Sequence, residues 1–165
     1  MSTKNDYSAE EWKAITGAPL AAGLYITLSD ASGPLGIAKE AMAVGRAITD
    51  SSSGDAPDIV KAIAESVRSA GGRPESPDVP RTDRAQMKLA LIGALQNSIG
   101  AVAAKSPAEA EAFKKWLLAV ATKVAHASKE GGFLGIGGTE VSTEEQEALN
   151  ELASGLGSTG SAATS

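Results

Sequence analysis

The residues between positions 131 and 139 read GGFLGIGGT, and glycine-rich loops of this kind can cradle phosphate groups. The P-loop pattern is G-x-x-x-x-G-K-[ST], and the last eight of these nine residues follow it except at Gly138, which replaces the lysine. That lysine contacts the outer phosphates, so its loss removes much of the affinity. Glu144 and Glu145 begin the next predicted helix, where their carboxylates would repel a phosphate. The stretch therefore predicts a bend, and we expect no nucleotide to bind.

A second stretch of the chain resembles this loop. Residues 29–37 read SDASGPLGI and residues 128–136 read SKEGGFLGI, so both have the frame S-x-x-x-G-x-L-G-I. Each stretch follows an apolar helical pattern and precedes another, and a glycine at a helix end can adopt the left-handed conformation that terminates the helix. We therefore predict two similar helix-loop-helix units, in which Leu35 and Leu134 fold back against the core.

His126 is the chain's one histidine and the first candidate for a catalytic base. On a helix of 3.6 residues per turn it falls about 220° from Phe113, which marks the centre of the apolar face. The histidine is therefore predicted to face solvent. Since the chain also lacks cysteine, it offers no cysteine nucleophile, no thiolate metal site and no disulfide. We predict no catalytic residue and no cofactor.

Carboxylates are the remaining candidates for a metal site. Asp30 and Ser32 begin like a calcium-binding EF-hand loop, but Leu35 stands at the sixth position, where glycine is required. Glu144, Glu145 and Glu147 crowd the start of one predicted helix, and acidic first turns of helices are common without any ligand. The residues by themselves therefore predict solvated charges and no metal site.

Composition limits the class of partner. The 165 residues are 42% hydrophobic, 21% charged and 4% aromatic, with a formal net charge of −5, which is typical of one folded domain with an aliphatic core. An acidic surface repels phosphate backbones, so nucleic-acid binding is not expected. The polar N-terminus is unlike a secretory signal, and the apolar run 17–28 is shorter than the roughly 20 residues that span a membrane. We predict a soluble cytoplasmic protein without a membrane span.

The first third of the chain contains three predicted helices. Ser8 and Glu11 have the spacing of a capping box and open the first helix, which Gly17 and Pro19 should end. Residues 20–28 are apolar on all sides and predict a central buried helix, although their β-branched residues are also compatible with a strand. A third helix is predicted over residues 35–48.

The rest of the chain contains four more predicted helices. Pro57 lies in the first turn of one helix, Thr82 or Asp83 caps the next, and the other two begin near Pro107 and at Ser142. The proline-rich residues 71–83 predict an exposed linker between two halves. The fold class is thus all-α: one compact bundle of about seven helices over residues 1–157, followed by a disordered tail, 158–165. The centre should be formed by three segments: 20–28, 89–102 and 113–124.

Two resemblances bear on this interpretation. Residues 8–44 and 113–157 look like an uncharacterised family of small bacterial helical proteins, which implies a helical fold and no particular activity. The second half also resembles the tellurite-resistance TerB-like helical fold, whose outline is an acidic-glycine turn, then S-x-x-E-E and a closing helix. Glu130-Gly131 and Ser142 with Glu145 fit that outline. In that fold paired acidic turns bind metal, which implies a metal site at the following residues: Asp30, Glu40, Glu130 and Glu144. The first half departs from the pattern, since no S-x-x-E-E follows its loop.

We therefore expect a non-enzymatic cytosolic interaction or structural protein, whose partner is another protein or a second copy of the chain. An accessory role in a bacterial stress or assembly system would fit such a protein. Two alternatives stay open. One is a TerB-like metal-responsive protein that uses acidic side chains. The other is an enzyme built on carboxylates alone, which would require a pocket holding an Asp or Glu of raised pKa.

Overall fold

A computed structural model describes residues 3–29, 35–52, 54–80, 83–130 and 141–157. Within these residues it contains six α-helices, a short 3-10 turn at Lys4–Asp6, and no strand. The helices are α1 (Ala9–Thr27), α2 (Leu35–Ser51), α3 (Asp58–Ser69), α4 (Arg84–Lys105), α5 (Pro107–Glu130) and α6 (Thr143–Gly157). The all-α bundle is confirmed, with six helices in the described residues where the sequence predicted about seven.

The difference from the predicted number lies in α1, which runs without a break through Gly17 and Pro19. Proline has no N–H to donate to the carbonyl four residues earlier, and its ring crowds that carbonyl, so a helix break was expected there. Both sides of Pro19 are nevertheless buried, because Ile15 and Ile26 each pack in the core. Burial on either side of the proline outweighs the lost hydrogen bond, so both the break and the strand alternative for residues 20–28 are wrong.

Side-chain caps fix where the helices begin. Ser8 accepts from the backbone N–H of Glu11 at 3.1 Å, and the Glu11 carboxylate accepts from the Ser8 N–H at 2.7 Å. Ser142 and Glu145 repeat this capping box at the start of α6, with the corresponding distances 3.2 and 2.9 Å. Asp83 caps α4 by accepting from a backbone N–H of the first turn. All three predicted caps are confirmed, since each depends on residues only three positions apart.

Helices α1 and α5 form the centre of the bundle, and each contacts all five other helices. The predicted apolar face of α5 is buried throughout: Phe113, Trp116, Leu117, Val120, Ala121 and Val124. Because aromatic residues are few, most of the core is aliphatic. Each fully buried aliphatic side chain contributes about 1.5–3 kcal/mol of hydrophobic stabilisation.

Helix α4 lies nearer the surface than predicted. It packs against α1, α5 and α6 through one face, on which Leu91, Leu95, Ile99 and Val102 are buried. Leu89 is 71% exposed, so its predicted place in the centre is wrong. Leu89 lies about 160° around the helix from Leu91 and points away from the buried face.

Among the described residues, α4 is the one helix that could cross a membrane by length and composition alone. Only 28% of its most apolar 18-residue window is buried in the bundle. The run 17–28, on which the prediction of no membrane span was based, is shorter than this helix. The absence of a membrane span therefore stays a prediction.

Residues 73–80, which we call the strap, connect α3 to α4 by crossing over α1. Gly71 and Gly72 end α3 with φ angles of +74° and +81°, which an L side chain rarely adopts. The strap then passes over Gly17: if an alanine stood there, its Cβ would lie 3.5 Å from the carbonyl oxygen of Glu75 and 3.8 Å from Cα of Pro77. Most residues of the strap are exposed, as predicted for a linker, but its backbone lies against α1 at Gly17.

Candidate functional site

A groove on the described surface lies between α1, α3 and the strap, and we call it groove A. It has a volume of about 740 Å³. Trp12, which is 6% exposed, forms part of its floor together with Thr16 and Val67. Tyr7 packs against Trp12 from behind, with ring centres 5.8 Å apart. The volume falls within the range of about 300–1,000 Å³ that is usual for ligand sites.

Positive side chains surround groove A. Lys4, Lys13 and Arg73 line it, and none of the three forms a salt bridge with a described residue. Two carboxylates also line the groove. Glu65 is paired with Arg68 on the same helix, and Glu75 belongs to the strap. Among the described residues, the rim therefore carries three cations and one carboxylate without a salt-bridge partner, although the chain as a whole is acidic.

A second groove, groove B, lies on the other side of the strap, between the strap, α1 and α4. It has a volume of about 380 Å³, and small residues of α1 such as Gly17 and Ala21 form its floor. Asp78 of the strap and Asn97 of α4 line it. Lys13 lines both grooves, and Glu10 of α1 also lines groove B, so the two hollows lie on neighbouring sides of α1 with the strap between them.

Helices α1, α4 and α6 meet at a cluster of three polar side chains. The buried Tyr25 hydroxyl donates to Oε2 of Glu151 at 2.9 Å, and Nζ of Lys88 donates to the same oxygen at 2.8 Å. The Lys88 ammonium also lies 4.7 Å from the centre of the Tyr25 ring, within the range of a cation–π contact. We call these three residues the tyrosine cluster.

The electrostatics of the tyrosine cluster favour a structural role. Burial, followed by the hydrogen bond to Glu151, raises the pKa of Tyr25 well above its ordinary value. The hydrogen bond from Lys88, followed by that from Tyr25, lowers the pKa of Glu151. Near neutral pH the tyrosine is thus a neutral donor and the glutamate a charged acceptor. Such a cluster holds helices together and supplies neither a nucleophile nor a proton acceptor of raised pKa.

Glu144, one of the four predicted metal ligands, is exposed at the start of α6 beside the tyrosine cluster. It lines a hollow of about 220 Å³ that also contains Glu147, Arg84 and Lys88. Glu151 lines this hollow as well, so the two cationic side chains offset part of the charge of three carboxylates. The described residues contain no group of three or more His, Asp or Glu side chains that could hold a metal.

The other predicted metal ligands cannot be placed, because Asp30 and the side chains of Glu40 and Glu130 lie outside the described residues. The four-carboxylate site suggested by the TerB-like resemblance therefore stays a prediction. The glycine-rich loop and the side chains of Leu35 and Leu134 also fall outside these residues, as does the tail 158–165. His126 is exposed on α5, as predicted.

The residues that form groove A were not predicted from the sequence. Trp12 and Lys13 are neighbours in a helix that was predicted only as far as Gly17, and Arg73 was assigned to a linker without a binding role. A tryptophan followed by a lysine near the start of an amphipathic helix was the available signal. What brings the three together is the path of the strap across α1, which no local pattern in the sequence shows.

Comparison with known proteins identified no relative of the chain. No family model, no curated protein and no solved structure matches the chain. The functional argument therefore depends on the geometry of the grooves.

Proposed function

We propose that this protein is a non-enzymatic interaction protein that binds an acidic segment of a partner protein in groove A. The observation that carries the proposal is the set of three cationic side chains without described salt-bridge partners: Lys4, Lys13 and Arg73. Complementary charge across an interface steers association and selects the partner. On a chain with a net charge of −5, a cationic groove favours an acidic segment at this site and disfavours it elsewhere.

The floor of groove A supports the same proposal. Trp12 and Val67 provide apolar surface between the charged rims. Aromatic side chains at the centre of an interface contribute much of its binding energy, while charges at the rim contribute mainly selectivity. A segment that alternates acidic and apolar residues would therefore match both parts of the groove.

Two observations favour binding over catalysis. His126 belongs to α5, which contributes no residue to groove A. An enzyme built on carboxylates would require an Asp or Glu of raised pKa. Three of the described carboxyl groups instead have lowered pKa values, because backbone or side-chain hydrogen bonds stabilise their charged forms: Asp6, Glu11 and Glu151.

The experiment uses Trp12 as its reporter. The chain has two tryptophans, so Trp116→Phe leaves Trp12 as the only one. This variant is titrated with a short acetylated peptide that alternates Glu with Leu, and with the matching peptide of Lys and Leu. We expect a saturable fluorescence change with the acidic peptide and none with the basic one. Calorimetry on the parent protein provides the same comparison without any substitution.

Two matched variants test the position of the site. Lys13→Gln should weaken binding of the acidic peptide several-fold, whereas Lys115→Gln should not, because Lys115 is exposed on α5 outside the groove. Equal binding of the two peptides would contradict the proposal, as would equal loss in the two variants.

A further inference from the structure

The strap carries acidic side chains, as does the partner segment proposed for groove A. Its residues 73–80 read RPESPDVP, a proline-rich segment without regular secondary structure that carries two carboxylates after Arg73. Glu75 lines groove A and Asp78 lines groove B, on either side of the contact with Gly17. Since Lys13 lines both grooves, the chain already places an acidic segment of its own beside a cation on α1.

The strap is held firmly at its ends and weakly in between. At one end the N–H of Gly72 donates to the carbonyl of Val67 at 2.8 Å, and at the other Val79 is partly buried against the core. Between these ends, residues 73–78 form no hydrogen bond with α1 in the described structure. A Cβ built at Gly17 would lie 3.5–3.8 Å from atoms of Glu75 and Pro77, so the middle of the strap lies over the helix without a hydrogen bond to it among the described residues.

We infer that the acidic partner segment replaces residues 75–78 of the strap on α1 and thereby joins grooves A and B into one channel. This inference rests on the proposed function. The strap competes for the face of α1 that the partner needs, so it lowers the apparent affinity by the fraction of molecules in which it is seated. In the joined channel the partner's carboxylates take the place of Glu75 and Asp78 beside Lys13.

A disulfide that locks the strap tests the inference. A Cβ at Gly17 would lie 3.8 Å from Cβ of Glu75, which is close to the mean separation in disulfides. The chain contains no cysteine, so the double variant Gly17→Cys/Glu75→Cys has one possible intramolecular pair. We expect the oxidised form to bind the acidic Glu–Leu peptide at least tenfold more weakly than the reduced form. Neither single-cysteine variant should respond to reductant in this way.

The outcomes separate this inference from the proposed function. If the parent protein binds the peptide, but the oxidised and reduced double variants bind it equally, the partner lies beside the strap and the inference is wrong. If the parent does not bind the peptide at all, the proposed function itself fails.

A second variant keeps the test decisive if the disulfide does not form. Glu75→Ser/Asp78→Ser removes the two carboxylates with which the strap competes, and both positions are exposed. We expect this variant to bind the acidic peptide several-fold more tightly than the parent. Unchanged or weaker binding would overturn the inference.

Discussion

Gly17 and Gly23 lie six residues apart on the same helix, yet their surroundings differ. An alanine Cβ at Gly23 would lie 2.7 Å from Cγ2 of Val44 and 3.4 Å from Cγ2 of Val124. The same atom at Gly17 would meet only the strap, at ordinary van der Waals distances of 3.5–3.8 Å. The two positions face directions about 120° apart around α1.

The contrast distinguishes two sides of α1: one is packed tightly against other helices, and the other is covered by the strap. At Gly23, α2 and α5 approach so closely that only a glycine fits without movement of buried valine side chains. At Gly17, the strap covers the surface without a hydrogen bond from its residues 73–78 to the helix among the described residues. The first side gives the bundle its stability, and the second is where we propose that a partner binds.

The largest expected effect comes from comparing an apolar side chain of the core with one of the strap. Ile26→Ala should lower the free energy of unfolding by about 2–5 kcal/mol, because Ile26 is fully buried and its removal leaves a cavity. Full burial of a valine is worth about 1.5–3 kcal/mol, so Val79→Ala, at a partly buried position, should cost about 1 kcal/mol or less. Urea unfolding measures both. Similar losses would show that the strap is as firmly packed as the core.

Gly23→Ala is expected to have the next largest effect. Overpacking costs about 1–3 kcal/mol, and the gain in helix propensity of about 1 kcal/mol offsets part of it. The net result should be a loss of stability, because Val44 is a short, buried side chain that cannot swing away. The measurement is the midpoint of urea unfolding beside the parent. A midpoint at or above that of the parent would mean that α1, α2 and α5 adjust more freely than their contact suggests.

The tyrosine cluster should contribute less. Tyr25→Phe removes one hydrogen bond from a buried hydroxyl, and the expected loss is about 0.5–1.5 kcal/mol. Because the pKa of Glu151 is lowered in the folded protein, its contribution is present above the ordinary value of 4.5 and is lost as the pH falls below it. Glu151→Gln should therefore reduce the dependence of stability on pH in that acid range. If the variant and the parent lose stability identically there, the cluster does not contribute as described.

Gly17→Ala should have the smallest effect on stability. The new methyl group meets the strap at ordinary contact distances, and replacing a glycine inside a helix can raise stability by about 0.4–1 kcal/mol. We expect urea unfolding at or slightly above the parent's midpoint. A clear loss comparable to that of Gly23→Ala would remove the difference between the two sides of α1.

Local features of the fold could be predicted from the sequence. The three helix caps at Ser8, Asp83 and Ser142 each involve residues three positions apart, and the buried face of α5 follows directly from its helical periodicity. Predicting these features requires no knowledge of which helices pack against each other. The local expectation that proline ends a helix was wrong at Pro19, where burial on both sides keeps α1 continuous.

The candidate site could not be predicted in the same way. Groove A requires the strap to cross α1 at Gly17, and the tyrosine cluster joins Tyr25 to Glu151 across 126 positions of the chain. Each depends on which helices become neighbours, and the spacing of residues does not show this. Leu89 differs from these cases: it was included in the predicted central segment 89–102, although its angle of about 160° from Leu91 already places it on the exposed face of α4.

Reversal of one charge tests the central claim most directly. Lys13 lines both grooves and has no salt-bridge partner among the described residues, so Lys13→Glu should reverse the electrostatic preference of the site. We predict that this variant binds the acidic Glu–Leu peptide at least tenfold more weakly than the parent and gains affinity for the basic Lys–Leu peptide. Lys115→Glu, with the same change of net charge on α5, should alter neither affinity by more than a small factor. If both variants shift the two affinities equally, or if neither does, groove A is not the site of an acidic partner.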